Sequence, residues 1–365
     1  MKRIAALLLS SAGLLAPAGA AWADAPDVVV SIKPVHSLVA AVMQGVGEPK
    51  LIVEGAASPH TYNMKPSNAA ALQDADVVFW VGHGLEAFLE KPLAALGGKA
   101  TVVELEDAPG LEKLKFREGG AFEAHDHGEH AHGEHAHGEH AHGEGEHAHG
   151  EHEAGGAHDH AHEAGEAEEA GHRHEEEETA EAGGHEHEHE HGGFDMHLWL
   201  DPMNAKAMAA EIEKTLATAD PGNAAAYKAN LDDLNARLDT LDTRIRETVA
   251  PIKDKPFIVF HDAYQYFEHR YGVRVAGSIT VSPETLPGAE RLSQIRQKVV
   301  DLGATCVFAE PQFEPKLVNV VLEGTPARSG TLDPEAATLN AGPDLYFSLM
   351  NGIAGSLKDC LSSAS

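Results

Sequence analysis

Three histidines lie in parts of this sequence that resemble folded protein. They are His60 in GASPHTYNMKPS, His197 in FDMHLWLDP and His261 in FIVFHDAY. His261 directly follows an apolar run that is typical of a buried strand, and ligands of open α/β sheets bind outside the carboxyl ends of the strands. Three imidazoles at one such edge would suit zinc, which prefers nitrogen and sulfur ligands. We therefore expect these histidines to converge on one zinc ion in a cleft between two lobes.

Most of the remaining histidines lie in a low-complexity segment at 121–193. Its part from 125 to 191 carries 20 of the 26 histidines and repeats GEHAH at 128, 133, 138 and 145. Because it has no aliphatic core residues to offset the entropy of ordering, we predict a disordered loop that collects metal weakly. A spacer with incidental histidines is the alternative. The candidate weak ligands are His125, His127, His130, His132, His135, His137, His140, His142, His185, His187, His189 and His191.

One stretch of this segment matches a protease motif by sequence alone. His185 to His189 (HEHEH) has the form HExxH, which in zinc proteases lies on a helix with both histidines on one face. The stretch lacks the apolar positions that would pack such a helix, and it overlaps a second match that ends at His191. We therefore do not interpret it as a catalytic site.

The first 23 residues have the pattern of a secretory signal peptide. Lys2 and Arg3 precede an apolar run, and Ala21 and Ala23 supply the small residues of a signal peptidase site. The apolar run is shorter than the roughly 20 residues that span a bilayer. We expect an exported, periplasmic protein.

The formal net charge of −31 is concentrated in the low-complexity segment. Such an acidic chain is an unlikely partner for nucleic acid and a suitable one for cations. The sequence contains neither GxxxxGK[ST] nor GxGxxG, so no motif supports nucleotide binding.

Strands and helices alternate on both sides of the low-complexity segment, which predicts parallel sheets covered on both faces. We therefore predict an α/β fold of two similar lobes, each a mostly parallel sheet flanked by helices. The predicted parts are an N-terminal lobe at 24–120 and 194–220, the disordered insertion at 121–193 and a C-terminal lobe at 251–365. In the first lobe, helices are predicted at 35–44, 67–73 and 86–96, with Ser67 as an N-cap. Strands are predicted there at 27–32, 51–54, 77–81 and 101–105. In the second lobe, strands are predicted at 257–260, 273–279, 306–309 and 330–332, and helices at 264–271, 289–302 and 344–361.

A single long helix at 221–250 is predicted to join the lobes. Its apolar residues step by three and four, which gives one stripe on an otherwise charged helix. At 1.5 Å per residue it would extend roughly 43 Å, long enough to brace both lobes as a rigid linker. Dimerisation through a coiled coil is the alternative, but the stripe is brief and lacks ordered flanking charges. The stripe consists of Tyr227, Leu231, Leu234, Leu238, Leu241, Ile245 and Val249.

The chain has two cysteines, Cys306 in a predicted strand and Cys360 in the last predicted helix. An even count in an exported chain favours pairing, so we predict a disulfide that ties this helix to its sheet. Two free thiols are the alternative.

Taken together, these stretches resemble the ZnuA family, the periplasmic zinc-binding components of zinc ABC importers within the metal-specific cluster of solute-binding proteins (cluster 9, or A-I). The resemblance covers nearly the whole mature chain. It implies zinc as the transported ligand, an inner-membrane permease and its cytoplasmic ATPase as partners, a monomer, no enzyme activity and a paired set of C-lobe cysteines. It also implies His60, His197 and His261 as ligands. The matching stretches, in order, are GASPHTYNMKPS, VVFWVG, the histidine-rich loop, HLWLDP, FHDAYQYF, GSITVSPETLPG, FAEPQF and GTLDP.

The fourth ligand is left open by the residues. Some family members have an acidic residue just before the first histidine, where this chain has Pro59. The other acidic position of the family corresponds to Asp333, with water as an equal alternative, whereas Glu310 is expected to support the site or the lobe packing. Three imidazoles favour zinc over manganese, which prefers harder oxygen ligands.

Two other functions are compatible with parts of the sequence. A periplasmic zinc buffer without a transport partner would need only the histidine-rich loop. A zinc hydrolase could use three histidines with an open position, but the chain offers no adjacent base or nucleophile motif.

Overall fold

The computed structural model describes residues 25–117, Phe122, 193–280, 282–283 and 286–362. The predicted signal peptide and all histidines from 125 to 191 lie outside these residues. No helix within the described ranges is both long and apolar enough to cross a membrane.

The first lobe contains a four-stranded parallel sheet in the order β2-β1-β3-β4. The central strands β1 and β3 are wholly buried, as expected for continuous apolar runs covered on both faces. Its elements are β1 (Val28–Val30), α1 (Lys33–Val42), β2 (Lys50–Leu51), α2 (Pro66–Asp74), β3 (Val77–Trp80), α3 (Ala87–Leu96) and β4 (Thr101–Glu104).

Two helices follow the segment at 193–201. They are α4 (Pro202–Ala219), with Asp201 as its N-cap, and the long α5 (Ala224–Val249). A 3₁₀ turn at Pro221–Asn223 separates them, so the regular helix begins slightly later than predicted. All seven residues of the predicted apolar stripe are buried, which places that face of α5 against the core.

The second lobe repeats the plan, with a parallel sheet in the order β6-β5-β7-β8. The predicted disulfide is confirmed, because Cys306 in β7 is bonded to Cys360 in α9. The elements are β5 (Pro256–His261), α6 (Gln265–Tyr271), β6 (Arg274–Thr280), α7 (Ala289–Asp301), β7 (Cys306–Ala309), α8 (Lys316–Leu322), β8 (Arg328–Thr331) and α9 (Leu345–Ser362).

The two lobes share a continuous hydrophobic core. Helix α5 packs against α1 and α4 of the first lobe and against α9 of the second. The backbone N–H of Tyr346 in α9 donates to Oγ of Ser37 in α1 at 3.0 Å, and the Tyr346 hydroxyl donates to the Trp199 carbonyl at 2.6 Å. The C-terminal helix therefore holds the first lobe as well as its own sheet.

One local prediction needs correction. Ser67 is not an N-cap, because α2 begins one residue earlier at Pro66 and the cap residue is Lys65, whose N–H donates to Oδ1 of Asn68. In addition, helix α8 has no counterpart among the predicted helices.

Candidate metal centre

His60 is held by a short turn after β2, at the carboxyl end of the first sheet. It is the middle residue of the 3₁₀ turn Pro59–Thr61, and Ser58 caps this turn by accepting the His60 N–H at 3.3 Å. Proline at the first position of the turn has the backbone angle that the turn requires, so the local sequence favours this geometry.

The other two histidines come from distant parts of the chain. His197 precedes the 3₁₀ turn Leu198–Leu200, and His261 is the last residue of β5. His261 therefore lies at the carboxyl end of its strand, where the sequence pattern predicted it. Only 6% of His197 and 1% of His261 is exposed to solvent.

The three imidazoles converge on one point. Within the described part of the chain they form the one group of three or more His, Cys, Asp or Glu residues whose possible ligand atoms all lie within 4.8 Å of one another. The ring centroids are 5.2 to 5.7 Å apart. Nε2 of His197 lies 3.3 Å from Nε2 of His261. Two nitrogens at about 2.0–2.1 Å from a tetrahedral zinc are separated by about this distance.

A carboxylate orients His197. Its Nδ1 lies 2.7 Å from Oδ1 of Asp195, which also accepts the backbone N–H of His197 at 3.0 Å. Such a carboxylate keeps the proton on Nδ1 and leaves the lone pair of Nε2 free for a metal. Sequence analysis missed Asp195, although it stands two residues before His197 in the same short motif.

A second carboxylate orients His261. Both oxygens of Glu310 lie within 2.8 Å of the His261 Nδ1 atom, and Glu310 also accepts the hydroxyl of Tyr264 at 3.3 Å. Nε2 of His261 therefore faces Nε2 of His197. The structure thus places Glu310 behind His261, on the side of its ring opposite Nε2.

Asp333 does not join the three histidines. One of its carboxylate oxygens accepts the N–H of Ala337 at 2.9 Å and a side-chain N–H of Gln312 at 3.2 Å. The other accepts the backbone N–H and the hydroxyl of Thr338. The carboxylate nearest to His60 belongs instead to Glu335, whose Oε1 lies 3.9 Å from Nε2 of His60.

The cleft shifts the pKa values of its titratable groups in opposite directions. Burial, together with the neighbouring His197 and His261, lowers the pKa of His60 well below its usual value. Burial also disfavours a charged His261, but the Glu310 carboxylate, together with Asp262 and Asp195, outweighs it and raises the pKa of His261. Burial, and then the charges of Glu310 and Asp333, raise the pKa of Glu335 well above its usual range. A divalent cation bound in the cleft would offset the electrostatic cost of keeping these buried acid groups ionised.

Comparison with known proteins identifies the family. The family described as zinc-uptake complex component A, periplasmic (ZnuA) matches residues 28–360. The chain belongs to the ZnuA family. It is 55% identical over 363 residues to the high-affinity zinc uptake system protein ZnuA of Brucella suis, covering 99% of this chain and 100% of the relative. The corresponding protein of Paracoccus denitrificans is 39% identical over 355 residues, which is 97% of each chain.

The fold of the ZnuA family is also seen in solved structures. A crystal structure of ZnuA superimposes with a TM-score of 0.65 at 24% sequence identity, covering 93% of this chain and 100% of that one. At that identity the likeness supports the two-lobed fold and says nothing further about the ligands.

Proposed function

We propose that this protein captures Zn²⁺ in the periplasm and delivers it to the membrane permease of an ABC importer, which a cytoplasmic ATPase drives. The observation that carries the proposal is the convergence of His60, His197 and His261 on one point. The names of the relatives, which describe high-affinity zinc uptake, support zinc as the cargo.

The donor set supports zinc on chemical grounds. Three imidazole nitrogens suit a borderline metal, and two of them are already oriented by carboxylates at Nδ1. Because these ligands are ordered before the metal arrives, binding costs little chain entropy, which favours high affinity.

The proposal includes four features that the described residues leave open. The chain is exported by a signal peptide at 1–23, acts as a monomer and has no enzyme activity. The histidines from 125 to 191 collect zinc weakly and pass it to the cleft. Described residues before and after this segment pair with each other, since Lys115 and Phe194 form an antiparallel bridge and the Asp195 N–H donates to the Leu114 carbonyl.

A zinc titration tests the proposal. The metal-free chain, His197→Ala and His269→Ala are titrated in competition with a chromophoric chelator. His269 is a control because it is an exposed histidine outside the cleft, 3.5 Å from Glu112. The wild type and His269→Ala should bind one equivalent tightly, and His197→Ala should lose it. Tight zinc binding in His197→Ala would refute the assignment of the zinc site to these three histidines.

Zinc uptake by cells that lack the protein separates a carrier from a buffer. Uptake at scarce zinc should fail without the protein and recover when it is restored. Recovery by His197→Ala would argue for storage in the histidine-rich segment instead.

A further inference from the structure

Lys33 is a buried lysine whose ammonium group bonds across from the first lobe to the second. It is the first residue of α1, and 7% of it is exposed to solvent. Its Nζ donates to the carbonyls of Ala336, Ala337 and Leu339 at 2.9 to 3.0 Å. These carbonyls belong to the loop at 333–339, which follows β8. All three N–H donors of the ammonium group are therefore used to hold one loop of the other lobe.

The ammonium group of Lys33 is an expensive way to fill this space. Taking a charge out of water is costly, and replacing a buried charge with an apolar residue of similar volume is often neutral or stabilising. Burial accordingly lowers the pKa of Lys33, an effect that the nearby Asp333 carboxylate opposes. What the ammonium group provides over an apolar side chain is a fixed position for the three carbonyls.

The loop that Lys33 holds has a backbone conformation that alanine disfavours. Ala336 has φ of 58°, the one positive value of a non-glycine residue in the described part of the chain. Its Cβ atom makes this left-handed region unfavourable, so surrounding bonds must maintain it. Lys33 bonds to the carbonyl of Ala336 itself, and Nε1 of Trp199 donates to the carbonyl of Pro334 at 2.8 Å. Two side chains of the first lobe therefore fix this loop.

The same loop lies beside the three histidines. Oε1 of Glu335 is 3.9 Å from Nε2 of His60. The ring of Trp199, which bonds to the loop, has its centroid 5.3 Å from that of His197. Because His60 belongs to the first lobe and the loop to the second, displacing the loop from the first lobe would separate groups that meet at the site.

Lys33 is one of two residues through which α1 contacts the second lobe by hydrogen bonds. Ser37 lies four positions later, so both side chains project from one face of the helix. Oγ of Ser37 accepts the backbone N–H of Tyr346 in α9 at 3.0 Å. The bond of Ser37 therefore fixes α9, and the bonds of Lys33 fix the loop beside His60.

We propose that Lys33 is a positioning residue that slows the release of zinc by holding the loop at 333–339 against the first lobe. This inference rests on the proposed zinc site of His60, His197 and His261. Lys33 does not touch the metal and acts through the loop. Differences in affinity between related complexes arise mostly in the dissociation rate. Loss of the three bonds should therefore speed zinc release and leave zinc association nearly unchanged.

The test measures zinc release from the wild type, Lys33→Met and Lys255→Met by stopped-flow mixing with an excess of a chromophoric chelator. Methionine is unbranched and apolar, and fills a similar space without donors. Lys255 is the control because its Nζ also donates to a backbone carbonyl, that of Leu361 at 2.7 Å, but within the second lobe. Lys33→Met should release zinc about tenfold faster or more, the usual size of an effect behind the ligands. Its association rate should stay within about twofold of the wild-type rate. Lys255→Met should release zinc at the wild-type rate.

Amide hydrogen exchange locates the effect in the folded protein. The N–H groups of Ala337 and Thr338 donate to the Asp333 carboxylate at 2.9 and 3.2 Å, inside the loop. In Lys33→Met these amides should exchange faster, while those of β1 keep their wild-type rates. Faster exchange throughout the chain, with zinc release unchanged, would mean that Lys33 serves stability alone and would overturn the inference.

The outcomes separate this inference from the proposed function. A wild-type rate of zinc release in folded Lys33→Met would refute the role of Lys33 and leave the zinc site intact. If Lys33→Met does not fold, Lys33→Gln, which lacks the charge and has fewer donors, is measured in the same way, and the same result would refute it. A wild-type chain that binds no zinc tightly would refute the proposed function and this inference together.

Discussion

Oδ1 of Asp195 binds both the Nδ1 atom and the backbone N–H of His197, at 2.7 and 3.0 Å. One oxygen thus sets the tautomer and the orientation of the imidazole together. Asp195→Asn would offer an amide that can present its N–H to the ring, which favours the wrong tautomer.

We expect Asp195→Asn to weaken zinc binding about 10- to 100-fold, the usual effect of removing the partner of a ligating histidine. The change is measured by chelator competition. Asp239→Asn is the control, because that carboxylate is exposed and pairs with Lys206. Equal affinities in the two variants would contradict the role of Asp195.

Deleting residues 125–191 should remove the weak zinc equivalents and keep one tight equivalent. The reason is that a disordered segment must lose chain entropy at each binding event, whereas the cleft is already ordered. The bridge between Lys115 and Phe194 already joins the chain on the two sides of this segment, so the fold should tolerate the deletion. Isothermal titration measures both classes of site. Loss of the tight equivalent would mean that the roles of segment and cleft were assigned the wrong way round.

Zinc binding should move the lobes only slightly. Helix α5 packs against both lobes, and Tyr346 and Lys33 add hydrogen bonds between them. A hinge closure would have to break this shared core. X-ray scattering profiles of the metal-free and zinc-loaded protein should nearly coincide. Profiles that require a large domain rotation would refute the prediction.

Replacing both cysteines with alanine should lower the free energy of unfolding by up to about 4 kcal/mol in the chain-entropy model. The disulfide closes a loop with a sequence separation of 54 and ties α9 to β7. Urea denaturation measures the loss. Zinc affinity should be retained below the melting temperature, since neither cysteine lies among the site residues. An unchanged free energy of unfolding would contradict the prediction.

Glu86 should make the stability depend on pH. It is fully buried and accepts the N–H groups of Val81 and Gly82, and burial raises its pKa to about 7 from 4.5. Because the folded state holds the proton more tightly, this contribution to stability is complete below pH 4.5. It is lost as the pH rises towards 7, and the full change is about 3 kcal/mol.

Glu86→Gln removes this titration, so the variant should gain stability relative to the wild type between pH 5 and about pH 7.5. Urea denaturation at several pH values measures the difference. Glu90→Gln is the control, because Glu90 is exposed and lies 3.4 Å from His83. If the difference in the free energy of unfolding between the wild type and Glu86→Gln stayed constant across this pH range, the prediction would be contradicted.

The sequence alone determined the features that depend on local patterns. Apolar runs located β1, β3, β5 and β7, since a strand covered on both faces must be apolar at successive positions. The period of three and four located α5 and its buried face. His261 was placed at a strand end because its strand was recognisable. His60 and His197 were singled out as isolated histidines in stretches that resemble folded protein, and the family resemblance implied the same two residues.

The tertiary structure decided which distant groups meet. Lys33 and Ala336 are separated by 303 positions, and no local pattern indicates that an ammonium group from α1 holds the loop beside His60. The same loop places Oε1 of Glu335 3.9 Å from Nε2 of His60. Both oxygens of Asp333, which was expected as the fourth ligand with water as an equal alternative, accept hydrogen bonds from its own loop. The period of the apolar residues indicates whether a side chain is buried. It does not indicate which side chain it contacts, because that depends on how the sheets and helices pack, and the packing brings together residues that are far apart in sequence.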